Sequence, residues 1–326
     1  MNQEKAFLFI TFTSGQNFFI KQIIKQYQYK NYFIITTTEA KEFNNFNKKR
    51  ILTLEKINGL KSISFNRKRM INNFLIDIEE QYSDIEIFVA HFLNILTNHI
   101  YNRYKKHKHI IFSSFPDGML TFNEYKITYL NFESLKKKIL SKLLGLDYTV
   151  IHGSINNPFN NILYVYSHLS RLTPCSNNQV LKDIKFPQYQ KINGNNSIIL
   201  GHANQKKKIS LDDSFYKRFK NKNKIYYKPH PRCELNNDLF YLALKEKLTI
   251  EVLNTRKPIE TIIEEFHIRY VFAVASSALV NLKLLFNDIE CFSFSLNTYI
   301  ETKYINIYLN IFNELNIQIL KNNNKI

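Results

Sequence analysis

Glycine is scarce in this 326-residue chain, which holds only Gly15, Gly59, Gly118, Gly145, Gly153, Gly194 and Gly201. No G-x-G-x-x-G and no G-x-x-x-x-G-K-[ST] can be assembled from these positions. The glycine-rich dinucleotide fingerprint and the P-loop are therefore excluded in their usual forms. A phosphate bound by this chain must meet helix N-termini and side chains instead. Cysteine is also thin: Cys175, Cys233 and Cys291 are too widely spaced for a disulfide framework or a zinc ribbon. They are expected to be reduced, buried thiols of a cytoplasmic protein. No signal peptide is expected, because Glu4 and Lys5 precede only a short apolar run. No run of about 18 apolar residues exists, so no bilayer-spanning segment is expected either. Acidic residues are in deficit, with 27 Asp and Glu against 45 Lys and Arg and a formal charge of +18. That balance calls for an anionic partner: nucleic acid, an anionic membrane face, or a phosphorylated or carboxylated substrate.

Hydrophobic residues make up 44% of the chain, enough for a sizeable core, and the length suits two domains. Apolar strand-like runs alternate with helical patterns. Strands are expected at 7–13, 31–38, 51–54, the start of 85–100, 110–114 and 148–151, with helices after Gly15, at the end of 85–100 and over 131–146. From 171 to 196 the pattern dissolves into Pro, Asn and Gln, as in an interdomain connection. A second series follows, with strands at 197–201, 224–228, 248–253, 270–275 and 290–294 and helices at 259–266, 276–286 and 302–320. The expectation is an α/β protein of two doubly wound, Rossmann-like domains, 1–175 and 197–326, joined by a linker at 176–196. The last helix is allowed to pack back on the first domain. In such folds ligands bind at the carboxyl ends of strands, here in a cleft between the domains.

The helical pattern at 131–146 puts Phe132, Leu135, Ile139, Leu140, Leu143 and Leu144 on one face and Lys136, Lys137, Lys138 and Lys142 on the other. Two readings stay open: a helix packed on a sheet with a solvated basic face, or an interfacial helix resting on anionic lipid.

Three loops, each directly after an expected strand, carry candidate chemistry. In Phe115-Pro-Asp-Gly118, Gly118 can take a positive φ and Asp117 is a candidate general base. In Lys228-Pro-His-Pro-Arg232, two of the chain's seven prolines bracket His230 and stiffen its backbone, with Lys228 and Arg232 adding charge. Such a histidine can donate to a phosphate oxygen or act as a general acid. In Val271-Phe-Ala-Val-Ala-Ser-Ser-Ala-Leu279, an apolar strand turns into a helix whose N-terminus, with Ser276 and Ser277, can hold an anion without a glycine loop. Taken singly, each has an ordinary structural reading: a Pro-Asp-Gly turn, a surface histidine, an N-cap serine.

Together, Pro116-Asp117-Gly118, His230-Pro231 and Ser276-Ser277 resemble the motifs of bacterial CMP-sialic-acid-dependent sialyltransferases acting on capsule, lipooligosaccharide or O-antigen. That family carries an acidic-acidic-Gly motif, a Lys-x-His-Pro motif and a Ser-Ser or Ser-Thr motif, and Pro258-Ile-Glu260 is similar to a further step in it. The likeness spans most of the chain on short motifs. It departs at Pro116, where the family commonly has a second acid whose contribution is left open. The resemblance implies a GT-B fold and inverting transfer of sialic acid to a terminal galactose, in 2,3-linkage, of a lipid-linked O-antigen or lipooligosaccharide. It implies Asp117 as base, His230 as the group at the departing phosphate, and Ser276 and Ser277 as phosphate holders. Gly118, Pro231, Gly201, Glu260, Lys228 and Arg232 are expected to bind substrate, as are Ser14 and Gln16 from the first domain. No cofactor or metal is expected, because no Asp-x-Asp is present and the close pair His107 and His109 sits among lysines that disfavour a dication. The expected location is cytoplasmic, peripheral on the inner membrane. Two rivals remain: a GT-B transferase with another nucleotide sugar, and a basic nucleic-acid binder. The second lacks any recognised nucleic-acid signature.

Overall fold

The structure is a computed structural model. It describes the chain apart from residues 1–3, 39–42, 44–45, 48–49, 55–64, 117, 123–131, 150–161, 176–178, 187–191, 204–210, 221–222, 232, 256 and 321–326. The chain divides into two compact units, Met1–Lys185 and Phe186–Ile326.

The first unit runs β1 (Ala6–Thr11), α1 (Ser14–Gln26), β2 (Tyr32–Thr36), β3 (Ile51–Thr53), α2 (Phe65–Gln81), β4 (Ile85–Val89), α3 (Ile95–Tyr104), β5 (Ile110–Ser114), α4 (Phe132–Leu143), β6 (Ile162–Tyr166) and β7 (Val180–Ile184). Its seven strands lie in the order β3-β2-β1-β4-β5-β6-β7, and every pairing is parallel. Parallel strands are covered on both faces, so they read as continuous Ile, Phe and Val runs rather than alternating ones. Leu8, Ile10, Ile35, Ile87 and Val89 pack against Ile71, Leu75 and Ile78 of α2 and Leu96 and Ile100 of α3. On the other face Phe9 stacks on Phe88 at 4.2 Å, and Phe19 of α1 meets Tyr166 edge-on at 5.6 Å. One charge is buried in this sheet. Glu86 is matched by Lys5 Nζ at 2.7 Å and by the Ser113 hydroxyl at 2.6 Å, as a buried carboxylate requires.

The second unit runs β8 (Asn196–Leu200), α5 (Asp213–Lys217), β9 (Ile225–Lys228), α6 (Leu239–Lys245), β10 (Glu251–Val252), β11 (Ile268–Ala273), α7 (Ser277–Leu285), β12 (Glu290–Phe294), α8 (Leu296–Tyr299), α9 (Thr302–Glu314) and β13 (Gln318–Leu320). Its six strands, again all parallel, lie in the order β10-β9-β8-β11-β12-β13. Phe215, Phe219, Phe240, Phe272, Phe292 and Phe294 fill one face. Both orders reverse direction once, between β1 and β4 and between β8 and β11, and these are the topological switch points at which doubly wound sheets bind ligands.

Several expectations change. The expected linker at 176–196 contains β7, which pairs along its length with β6 and closes the first sheet. It is an edge strand with mixed burial, so its pattern neither alternates nor runs apolar. β6 and α2 both fall in stretches left without an expected element. The strand expected at 148–151 is not one in its described part: Thr149 instead exchanges hydrogen bonds with the Asn98 side chain at 2.8 Å. The helix expected at 259–266 is a single 3₁₀ turn, Ile259–Thr261. The helix expected to reach Leu320 stops at Glu314, and the chain returns through Asn316, at φ 53°, into β13. Of the thiols, only Cys291 is buried, with its pKa pushed up to about 12 by burial; Cys175 is exposed.

Candidate functional site

In the second unit, three strands deliver their carboxyl ends to the switch point, and each carries an expected residue. β8 ends at Leu200 and continues into Gly201. β9 ends at Lys228 and continues through Pro229 to His230. β11, on the far side of β8, ends at Ala273 and leads to Ser276.

The β8 and β9 loops are stitched together. Gly201 N–H donates to Lys228 O at 2.9 Å. A Cβ on Gly201 would lie 2.9 Å from His230 N, 3.2 Å from Pro229 Cα and 2.6 Å from Tyr227 Oη. Glycine is required here by close approach of another backbone, not by its φ. His230 O accepts the Cys233 N–H at 2.8 Å, closing a β-turn with Pro231 at its second position, where a fixed φ near −65° is preorganised. The Cys233 thiol donates to His202 O at 3.1 Å, a second tie between the loops. His230 thus sits half-buried on a backbone held from both sides, with Pro231 exposed at the turn.

Ser276 is the N-cap of α7: its φ of −89° is extended, and its Oγ accepts the Ala278 N–H at 3.2 Å. Accepting that bond leaves the hydroxyl its own hydrogen to donate, and the first turn brings the positive end of the helix dipole. Ser277 opens the helix beside it, also half-buried. Glu260 lies on the 3₁₀ turn packed against α7, and its Oε1 accepts from Asn281 Nδ2 at 2.7 Å. Burial raises the Glu260 carboxyl above its ordinary pKa, opposed by the Asn281 bond and the Lys228 charge. Lys228 is buried and donates to Thr255 O at 2.7 Å. Burial lowers its pKa, with Glu260 opposing. Glu260 and Lys228 therefore brace the strand ends around the serines and the His-Pro turn. Arg232 lies outside the described residues.

In the first unit, Asp117 also lies outside the described residues. Its neighbours follow β5: Pro116 is buried and Gly118 has φ 60°, the left-handed conformation expected of that glycine. At the β1–β4 switch point, Thr13 caps α1 by accepting the Gln16 N–H at 3.1 Å, and Ser14 begins the helix half-buried. Gln16 is only 3% exposed, and its Oε1 accepts the Phe12 N–H at 2.7 Å, so its described contact holds the loop. Two features escaped sequence reasoning. Thr11, Asn17 and Thr38 form a hydroxyl–amide chain at the ends of β1 and β2, with links of 2.6 and 2.7 Å. His91, just past β4, accepts the Leu93 N–H at Nδ1 at 3.2 Å, leaving Nε2 as the protonated nitrogen of the neutral ring. The only advance signal for His91 was its place after a strand.

Chemically, the second unit presents a helix N-terminus, two hydroxyls and an imidazole around one switch point, a set suited to a phosphate group. Among the described residues no group of three or more His, Cys, Asp or Glu side chains has metal-holding geometry.

No curated protein matches the chain. Among solved structures it is similar to the alpha/beta-galactoside alpha-2,3-sialyltransferase of the luminous marine bacterium Photobacterium phosphoreum. The TM-score is 0.55 with 13% identity, over 98% of this chain and 99% of that one. A weaker likeness is to MurG of Acinetobacter baumannii, at a TM-score of 0.43 and 12% identity over 98% and 87% of the two chains. The fold is thus of the GT-B class, with two parallel-sheet α/β units. The family model for alpha-2,8-polysialyltransferase (POLYST) matches residues 1–295. With the family model covering most of its length, this chain belongs to the alpha-2,8-polysialyltransferase family, and it is a sialyltransferase.

Proposed function

We propose that the protein transfers sialic acid from CMP-sialic acid to a hydroxyl of a bacterial surface glycan, with inversion. The observation that carries this reading is the convergence of Gly201, His230 and the Ser276–Ser277 helix N-terminus on the switch point of the second sheet. The leaving group is a phosphomonoester. Its phosphate rests on the α7 N-terminus and the two serine hydroxyls, while His230 donates to the oxygen that departs with CMP. Asp117 takes the proton of the acceptor hydroxyl as that oxygen bonds to the anomeric carbon of the sugar and the carbon–oxygen bond to phosphate breaks. The donor is anionic at phosphate and at carboxylate, which suits a chain of charge +18. No metal takes part in this scheme.

A terminal galactose in 2,3-linkage, on lipid-linked O-antigen or lipooligosaccharide, is the acceptor that the motifs suggest. A terminal sialic acid in 2,8-linkage is the second reading, favoured by the description of the matching family. The test is to incubate purified protein, EDTA and CMP-sialic acid with galactose-terminated and sialic-acid-terminated oligosaccharides, reading products by mass. Sialylated product supports donor, reaction and metal independence together, and the panel member that reacts names the acceptor. If CMP is neither released nor bound, the donor assignment fails. Product from another nucleotide sugar only would replace it.

A further inference from the structure

Helix α4 carries its apolar stripe on the wrong side for a globular domain. Successive residues advance about 100° around a helix, so Leu135, Ile139 and Leu143 form one line. They are 56%, 55% and 45% exposed. The opposite face is buried, with Ser141 at 1% and the following Leu144 at 2%. Leu140 and Leu144 pack with Ile95 of α3 and with Leu146. The Ser141 hydroxyl is satisfied by Lys138 O at 2.9 Å, so a polar side chain sits comfortably on the inner face. Gly145 at φ 64°, with its N–H on Lys142 O at 3.0 Å and the Leu146 N–H on Ser141 O at 2.9 Å, ends the helix and holds that rotation. The reading of 131–146 as a helix packed through its apolar stripe with a solvated basic face is thereby corrected.

The outward stripe is bordered by lysines. On the helical wheel Lys136 flanks one side and Lys138 and Lys142 the other, and all three are exposed. Lysine stems can lie along an aliphatic stripe while the ammonium groups reach outward. Single exposed leucines are ordinary. Among the described residues no other helix carries three large apolar side chains exposed in line.

We propose that α4 docks this protein on an anionic bilayer surface, with Leu135, Ile139 and Leu143 entering the acyl boundary and Lys136, Lys138 and Lys142 meeting lipid phosphates. Charge complementarity selects the occupant. A narrow aliphatic stripe between two cationic borders matches a surface that is apolar within and anionic at its plane. A second copy of this chain would set the same lysines against each other.

The experiment is cosedimentation of the purified full chain with vesicles of phosphatidylcholine alone or mixed with phosphatidylglycerol. Neither donor nor acceptor is present, so the result stands apart from the transfer reaction. The wild type is expected to bind the anionic vesicles and not the neutral ones, less at high salt. The variant Leu135→Ser, Ile139→Ser, Leu143→Ser changes only exposed side chains and is expected to melt like wild type and to keep transfer to a soluble acceptor. Its vesicle partitioning should fall by about tenfold or more, and Lys136→Gln, Lys138→Gln and Lys142→Gln should cost about fivefold per charge. The proposal is overturned if the wild type ignores anionic vesicles, or if the serine variant binds them as well as wild type. Light scattering that shows a dimer dissociated by the serine variant would also overturn it, by assigning the stripe to a second copy.

Discussion

Gly201→Ala is the sharpest test of the site, because one methyl group acts on it through geometry alone. The new Cβ would stand 2.6 Å from Tyr227 Oη and 2.9 Å from His230 N. Tyr227 cannot retreat: its ring is fully buried and its hydroxyl donates to the buried Asp238. The β9 loop must yield, and restoring ordinary contact displaces the His230 backbone by about 0.5 Å. Overpacking of this kind costs about 1–3 kcal/mol of stability. A reacting group displaced by about 1 Å loses about 100-fold in rate, so half that shift predicts roughly tenfold in kcat. Gly15→Ala is the control, since its Cβ would meet only Thr13 Oγ1 at 3.9 Å. The assay is steady-state CMP release beside thermal melting with and without CMP. If Gly201→Ala keeps wild-type kcat and Tm, the tie between the β8 end and the His-Pro turn does not position the histidine, and the reasoning is wrong.

Ser276→Ala removes the α7 cap and should cost about 1 kcal/mol in a urea melt, whereas Ser277→Ala should be nearly neutral there. Both should weaken CMP in titration, and unchanged affinity in the double variant would remove the phosphate from this helix. Asp117→Asn and His230→Ala should each lower kcat by about 100-fold or more at wild-type Tm; near-normal turnover in either sinks its assigned role. His99 is buried, and desolvation holds its pKa below the ordinary 6.5 despite the opposing Asp147 charge. The unfolded chain then binds the extra proton first as pH falls, so the stability contribution is full above pH 6.5 and is lost on acidification below it. His99→Gln should flatten that loss in melts across pH 5–7, with the glutamine oxygen replacing Nδ1 as acceptor for the Asp147 N–H; an unchanged slope would clear His99 of the effect.

Local chemistry made much of this protein readable from its residues. Doubly buried parallel strands announce themselves as runs such as IEIFV or YFIIT, and the three motif loops sit at strand ends because apolar runs stop there. Asp-Gly after Pro116 and Ser-Ser before an apolar helix carry their own backbone preferences, and Gly118 and Ser276 adopt them. Local residue patterns therefore specify the α/β class and the place of each motif along the chain. Tertiary structure decided what depends on distant partners. β7 became a strand because β6 offered it an edge. Residues 318–320 left the helix for the edge of β12. Gly201 is needed because His230, far along the chain, approaches it through a neighbouring strand. The periodicity of α4 promised a stripe but not its direction. Only the packing of Leu140 and Leu144 against Ile95 turned that stripe outward, because periodicity records which residues share a face and not what lies opposite it.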